Sequence, residues 1–237
     1  FDKSQDFYYW YRSKKEAQII SKTSNQKEAL NYITSKFNKI KNPNNKFIFD
    51  IANFYKNSKK YKQAIKYYSL IIDSLDNNSE VKADLLYRRG GSFERIKDYS
   101  SADKDLQDSL KINPNDAYVL NYLAYSWLER DFMIDEAIEM LEKAYAQKSN
   151  DPYIIDSIGW AYYLIDNFDK AEEFLKRAVL LMPDVPIVND HYADILWKLD
   201  RKIQARYFWS MVLEMKDANE ELTDQIINKL IYGPKNS

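Results

Sequence analysis

The sequence predicts an all-α fold of stacked antiparallel helix pairs. Three observations carry that expectation: a ladder of alanines at a fixed period, a second ladder of small residues in step with it, and prolines that close individual units. Six alanines, Ala29, Ala64, Ala102, Ala137, Ala171 and Ala205, recur at spacings of 35, 38, 35, 34 and 34 residues, each inside the same apolar rhythm. Self-similarity at such a period marks a repeat architecture, in which each unit cannot bury its apolar face alone and stacks on its neighbours. Binding along an extended surface is the function class that follows.

Each position of the unit has a physical reason. Twelve residues before the alanine stands another small residue, Ala17, Ala52, Gly90, Gly159 or Ala193, with Ala124 thirteen before in the fourth unit, where one extra residue enters the turn. Small residues on two facing helices let the backbones approach closely. Seven residues after the alanine comes Ile71, Ser109, Ala144, Ala178 or Val212, two helical turns on and on the same face. An aromatic three before it (Tyr61, Tyr99, Phe168) opens the second helix, and Pro114 and Pro183, twelve after it, end that helix because proline cannot continue one.

The helices expected are 4–22 with 26–40, 46–57 with 61–75, 83–96 with 99–111, 117–130 with 135–147, 152–165 with 168–181, and 186–199 with 202–215. A lone amphipathic helix over about 218–232 is expected to cover the last pair with Leu222, Ile226, Ile227, Leu230 and Ile231, its other face being polar. Asn42 to Lys46 and Asp76 to Glu80 read as turns rather than domain linkers, since the repeat phase resumes after each.

Pro152 to Val185 carries Ile155, Ile158, Gly159, Tyr162, Phe168, Ala171, Ala178 and Pro183, and Ala83 to Asp116 carries Gly90, Phe93, Tyr99, Ala102 and Pro114. On these residues the chain resembles the tetratricopeptide repeat family, a 34-residue helix-turn-helix unit. The resemblance covers most of the chain and fails at Gln26, Lys36 and Lys202. It implies a right-handed α-solenoid of about six helix pairs plus a C-terminal capping helix, running as one array over 1–237. Its units are about 10–44 (degenerate), 45–82, 83–116, 117–151, 152–185 and 186–217, with the cap at 218–232. The stretches NYLAYSWLERDFMIDEAIEMLEKAY, DSIGWAYYLIDNFDKAEEFLKRAV and NDHYADILWKL are similar to proteobacterial, alphaproteobacterial-type, members that include envelope lipoprotein adaptors for periplasmic proteases. That likeness implies a periplasmic or envelope setting, with the cytoplasm left open.

In this family the first helix of each pair lines a concave groove. The positions that do so fall here on Phe49, Asn53 and Lys56, on Asp84, Tyr87 and Arg95, on Tyr118, Asn121 and Tyr125, on Tyr153, Asp156, Trp160 and Tyr163, and on Asp190, Asp194, Trp197 and Lys198. Aromatics give contact area at low entropy cost and amides pair with backbone, so such a groove suits a peptide. Tyr125 and Tyr163 equally suit packing between repeats. The set of cations with which some members capture a terminal carboxylate is missing: Phe49, Tyr87, Tyr118 and Tyr122 stand where lysine or arginine would, and only Asn53 and Asn121 fit. Arg88 or Arg95 could still meet a single carboxylate.

Composition narrows the alternatives. With 35 basic and 36 acidic residues the net charge is −1, and no clustered basic excess offers to neutralise phosphates, so no nucleic-acid partner is expected. A tyrosine-rich surface can imitate a platform for single strands, but it lacks the basic track. Without cysteine there is neither a disulfide nor a thiolate metal site, and no run reaches the 18 or more apolar residues of a membrane span. The sole histidine, His191, has no nucleophile motif beside it, Asp190 and Asp194 lack further metal ligands, and four glycines form no phosphate loop. The reading is therefore a non-catalytic protein-binding adaptor or scaffold, without cofactor or metal, or else the regulatory segment of a larger protein. Beginning at Phe1 with no leader, the chain reads as a processed product or an excised segment. The aromatic run Phe7, Tyr8, Tyr9, Trp10 and Tyr11 either packs half inward on its own pair or offers a seam for further repeats or self-association.

Overall fold

The computed structural model describes residues 3–76 and 79–234 and is all-α. Its helices fall into two compact units, Phe1–Pro114 and Asn115–Ser237. The first unit holds α1 (Lys3–Thr23), α2 (Gln26–Phe37), α3 (Asn45–Asn57), α4 (Tyr61–Ile72), α5 (Glu80–Arg95) and α6 (Tyr99–Ile112). The second holds α7 (Ala117–Leu128), α8 (Ile134–Gln147), α9 (Pro152–Leu164), α10 (Phe168–Leu181), α11 (Pro186–Lys198), α12 (Lys202–Glu214) and α13 (Glu220–Tyr232). Asn77 and Asn78 of the expected second turn lie outside the described residues.

The alanine ladder is the contact line of the pairs. Ala29, Ala64, Ala102, Ala137, Ala171 and Ala205 are all fully buried, as are Ala17, Ala52, Ala124 and Ala193 opposite them. Gly90 and Gly159 fill the same position where even a methyl is too large: a Cβ on Gly159 would stand 2.8 Å from Leu175 Cγ, and one on Gly90 3.0 Å from Leu106 Cγ. First helices are therefore inner helices. In the second unit α7, α9 and α11 bury eight, nine and ten residues against three, four and three for α8, α10 and α12, which keep one wet face.

The turn between the two helices of a pair repeats as faithfully. Lys59, Lys97, Asp131, Asp166 and Asp200 all have positive φ, between 50° and 62°. The amide after each reaches back five residues, as in Lys60 N–H to Tyr55 O, Asp98 to Phe93, Asn167 to Tyr162 and Arg201 to Leu196, all at 2.9–3.0 Å. This is the Schellman closure, built here on non-glycine residues. In the fourth unit the extra residue adds a second left-handed position at Met133. Helix starts are capped by side chains: Asp116 and Asp151 each accept two amide hydrogen bonds, and Asn25, Asn44, Ser79, Asn167 and Asn219 one each.

In the first unit Trp10, Ile33, Phe37, Phe47 and Ile51 pack together, and Tyr68, Ile71, Leu85 and Leu86 form a second cluster. The N-terminal aromatic run divides. Trp10 is buried against Phe37 and Phe47, both at 5.6 Å, Tyr9 is half-buried, and Phe7, Tyr8 and Tyr11 are exposed. Helix α13 also differs from expectation. Leu222 and Ile226 are buried and Leu230 half-buried, but Ile227 and Ile231 are exposed, because at 100° per residue they fall on the neighbouring face.

Two substitutions test this account. Gly159→Ala should cost about 1 to 3 kcal/mol by overpacking against Leu175, read as a lower denaturant midpoint with unchanged slope. Lys97→Gly should instead raise stability by about 0.5 to 1 kcal/mol, the left-handed penalty of a β-carbon minus the added unfolded-state entropy of glycine.

Candidate functional site

In the second unit the groove positions separate by depth. Tyr118 and Tyr153, near the starts of α7 and α9, are 49% and 62% exposed. Behind them Asn121 and Trp160 are half-buried, and Asn121 Oδ1 and Trp160 Nε1, both shielded from solvent, have no hydrogen-bond partner among the described residues. The two are an amide acceptor and an indole donor left unpaired on neighbouring first helices, on the same helices as the exposed rings of Tyr118 and Tyr153. Trp160 is held rigidly: its ring stacks on Tyr163 at 4.7 Å and on His191 at 4.2 Å. Tyr125 lies 6.2 Å from the same imidazole, and Tyr163 is buried.

Deeper still, the acidic positions are engaged by the chain itself. Asp156 holds His191, whose Nδ1 lies 3.0 and 3.1 Å from its two carboxylate oxygens, with His191 buried. Asp190 and Asp194, one turn apart on α11, both accept from Trp209 Nε1, at 3.0 and 3.2 Å. Lys229 of α13 completes the group, its Nζ donating to both oxygens of Asp190 at 2.7 and 2.8 Å and to Asp194 Oδ2 at 2.8 Å. Trp197 is covered by the end of α13, where Gly233 backs onto its indole ring.

Titration follows from this crowding. Burial pushes the Asp194 carboxyl up, Asp190 pushes it further, and Lys229 restrains the rise, leaving it at about 7. Burial pulls the His191 imidazolium down, but the charge and hydrogen bond of Asp156, with Asp190 and Glu129 behind, hold it above its ordinary value. Among the described residues no group of three or more histidine, cysteine or acidic side chains is arranged to hold a metal ion.

The first unit presents a different face. Asn53 accepts from Tyr68 Oη at 2.7 Å, and Phe49 lies under the Arg88 guanidinium at 5.3 Å, which itself pairs with Asp84 at 2.8 Å. Burial, then the charges of Arg88 and Arg95, hold the Lys56 ammonium below its usual value, so these first helices carry crowded cations. Tyr87 is half-buried and Arg95 exposed, with Glu94 3.5 Å from its guanidinium.

A family model described as tetratricopeptide repeat matches residues 46–74, 83–116 and 154–184. The chain carries tetratricopeptide repeats. A TPR repeat-containing protein of Pseudomonas aeruginosa is 30% identical over 137 residues, 51% of this chain and 23% of that protein, so the chain spans under a quarter of its relative's length. Among solved structures, a tetratricopeptide repeat protein of Parabacteroides merdae superposes with a TM-score of 0.69 at 14% identity, over 94% of this chain and 85% of that one. A thermophilic TPR protein of Thermus thermophilus gives 0.64 at 17% identity, over 79% and 99%. MamA of Desulfovibrio magneticus gives 0.59 at 20%, over 74% and 97%. Tetratricopeptide arrays are protein-interaction modules, and no described helix here is long and apolar enough to cross a membrane.

Sequence reasoning missed Lys229 and Trp209, the partners of Asp190 and Asp194. The available signal was the pair of aspartates itself, one turn apart on a helix whose remaining face is apolar, which requires cations from elsewhere.

Because the folded-state pKa of Asp194 is raised, the stabilisation of its protonated form is complete below the ordinary 3.8 and gone once pH passes about 7. Stability of this tetratricopeptide chain should therefore decline across that window by up to about 1.4 kcal/mol per pH unit for this proton. Asp194→Asn should flatten that component, read as the difference between the melting temperatures of the two proteins at pH 5 and pH 8.

Proposed function

We propose that the chain recruits a protein partner by holding a peptide segment against the first helices of the second unit, and that it serves as an adaptor or scaffold without chemistry of its own. The observation that carries the reading is the pair of rings Tyr118 and Tyr153 exposed on neighbouring first helices, with the unpaired Asn121 Oδ1 and Trp160 Nε1 further along the same helices. Leaving such groups unpaired costs about 1 to 3 kcal/mol each, so a partner that draws these side chains into reach of its backbone would remove that cost. Tyrosines at the rim would then supply contact area around these polar anchors.

A second reading, an interaction segment within a longer protein, is supported by the Pseudomonas relative, of which the matched stretch is 23%. Both readings use the same face. Self-association through Phe7, Tyr8 and Tyr11 belongs to the same proposal for the first unit, where three exposed rings neighbour one another along α1.

The test is titration of a partner captured from the native organism. Tyr125 and Trp160 are poor probes, since both belong to the stack around His191 and their loss would disturb folding. Tyr118→Ala with Tyr153→Ala should weaken binding by about 2 kcal/mol or more with helical circular dichroism unchanged. Asn121→Ala should cost a further 0.5 to 1.5 kcal/mol, roughly the worth of one neutral hydrogen bond. Normal binding by these variants, together with its loss on changing Glu172 or Lys176 of α10, would move the partner to the outer helices.

A further inference from the structure

The last pair differs from the others in being covered by a helix that is weakly attached. Helix α13 buries two residues, Leu222 and Ile226, whereas α11 beneath it buries ten. Ile227, Ile231 and Tyr232 are 45%, 60% and 79% exposed. What else fixes α13 is polar or local: the Lys229 ammonium on Asp190 and Asp194, the Arg206 Nε bond to Leu230 O at 3.3 Å, and Gly233 against the Trp197 ring. A buried ion pair adds little net stability, since desolvation of three charges offsets their attraction. Few buried apolar groups and a polar anchor describe an element that opens locally, well below the free energy of global unfolding.

The residues under α13 are not ordinary core. Asp190, Asp194 and Trp197 occupy the same repeat positions as Asp156, Trp160 and Tyr163 one unit earlier, each 34 residues apart. We infer that α13 is a replaceable occupant of the binding face: Asp190, Asp194 and the Trp209 indole form a subsite for a primary ammonium, filled in cis by Lys229, and a partner's lysine-bearing helix enters by displacing it. The occupant states the chemistry of the ligand. Such a segment carries a branched aliphatic residue in the position of Ile226 and a lysine three residues on, so that apolar contact and ammonium arrive on one face. Its ammonium makes three charge-assisted bonds to two carboxylates already fixed by an N–H, geometry that a neutral side chain cannot replace. Release of α13 would extend the binding face by one unit. The inference rests on the groove reading for the role of this face, but its test is separate.

The experiment uses the full chain and a fluorescein-labelled synthetic peptide of residues 219–234. Wild type should bind this probe weakly, because its own α13 competes at the high effective concentration of a tethered segment. Lys229→Met, which keeps the aliphatic stem and removes the charge, should bind at least about ten-fold tighter. Gly233→Ala, whose β-carbon would stand 2.6 Å from the Trp197 ring, loosens α13 without touching the acidic group and should bind about three-fold tighter or more. A probe with methionine in place of its lysine should lose the gain in both variants. Hydrogen exchange of residues 220–232 should quicken at least ten-fold in Gly233→Ala while α9 and α10 stay protected. Equal binding to wild type and Gly233→Ala, no binding to either, or equal binding of the methionine probe would overturn the inference. None of these outcomes depends on Tyr118 or Tyr153, so the groove reading and this one can fail separately.

Discussion

The structure depends on a contact too close for side chains. Where the helices of a pair cross, Gly90 lies against Leu106 and the Ala102 carbonyl and Gly159 against Leu175 and Phe174, with no exposed surface at Ala102, Ala171, Ala193 or Ala205. Close approach at one point fixes the rest of the unit. The intervening turn must be short, so its closing residue takes a left-handed conformation even when it is lysine or aspartate. In the second unit the inner helix, wedged against its own partner and its neighbours, is buried nearly all round, and the outer helix keeps a wet face. Packing density then leaves no slack, since interiors of this kind respond to a single methylene.

A second constraint is laid over the first. Buried positions that an apolar residue would fill more cheaply carry aspartates, and each has drawn in its own donors. Asp50 receives Trp10 Nε1 at 3.0 Å and the Lys14 ammonium; Asp105 receives Arg89 at two points, both 2.7 Å; Asp156 has His191; Asp190 and Asp194 have Trp209 and Lys229. The pattern at Asp50 and that at Asp190 are alike, an indole N–H and an ammonium on one carboxylate. These groups gain little net energy from pairing, yet removing one partner strands a buried charge at a cost of roughly 3 to 5 kcal/mol. Their effect is to fix which turn of one helix faces which turn of the next, information that a smooth alanine ladder lacks.

This division explains what could be read from the sequence. The period, the small residues, the closing prolines and nearly every helix were legible, because steric exclusion at the crossing leaves a compositional mark at fixed spacing. The candidate face was legible by position only. Tyr118 and Tyr153 are open and Asn121 has an unused acceptor, but Asp156, Asp190, Asp194 and Trp197 occupy the same register and are engaged by His191, Lys229 and Gly233. Those partners lie 35 to 39 residues away and leave no periodic trace. Lys229 reads as one more polar residue on the wet side of an amphipathic helix, because hydropathy does not record that its stem reaches inward.

The stack through Tyr163, Trp160 and His191 bears on how the face would bind. With plane angles of 10° and 14° the three rings form a layered block, and the imidazole within it is anchored by Asp156. A tryptophan clamped between two rings loses almost no rotamer freedom on meeting a ligand, so the entropy cost that usually erodes contact energy has been met in folding. The exposed tyrosines at the rim have no such clamp and must be ordered by the partner. Contact area on such a face would therefore come mainly from the exposed rim of Tyr118 and Tyr153, which adapts to the sequence presented, set against the rigid block of Trp160.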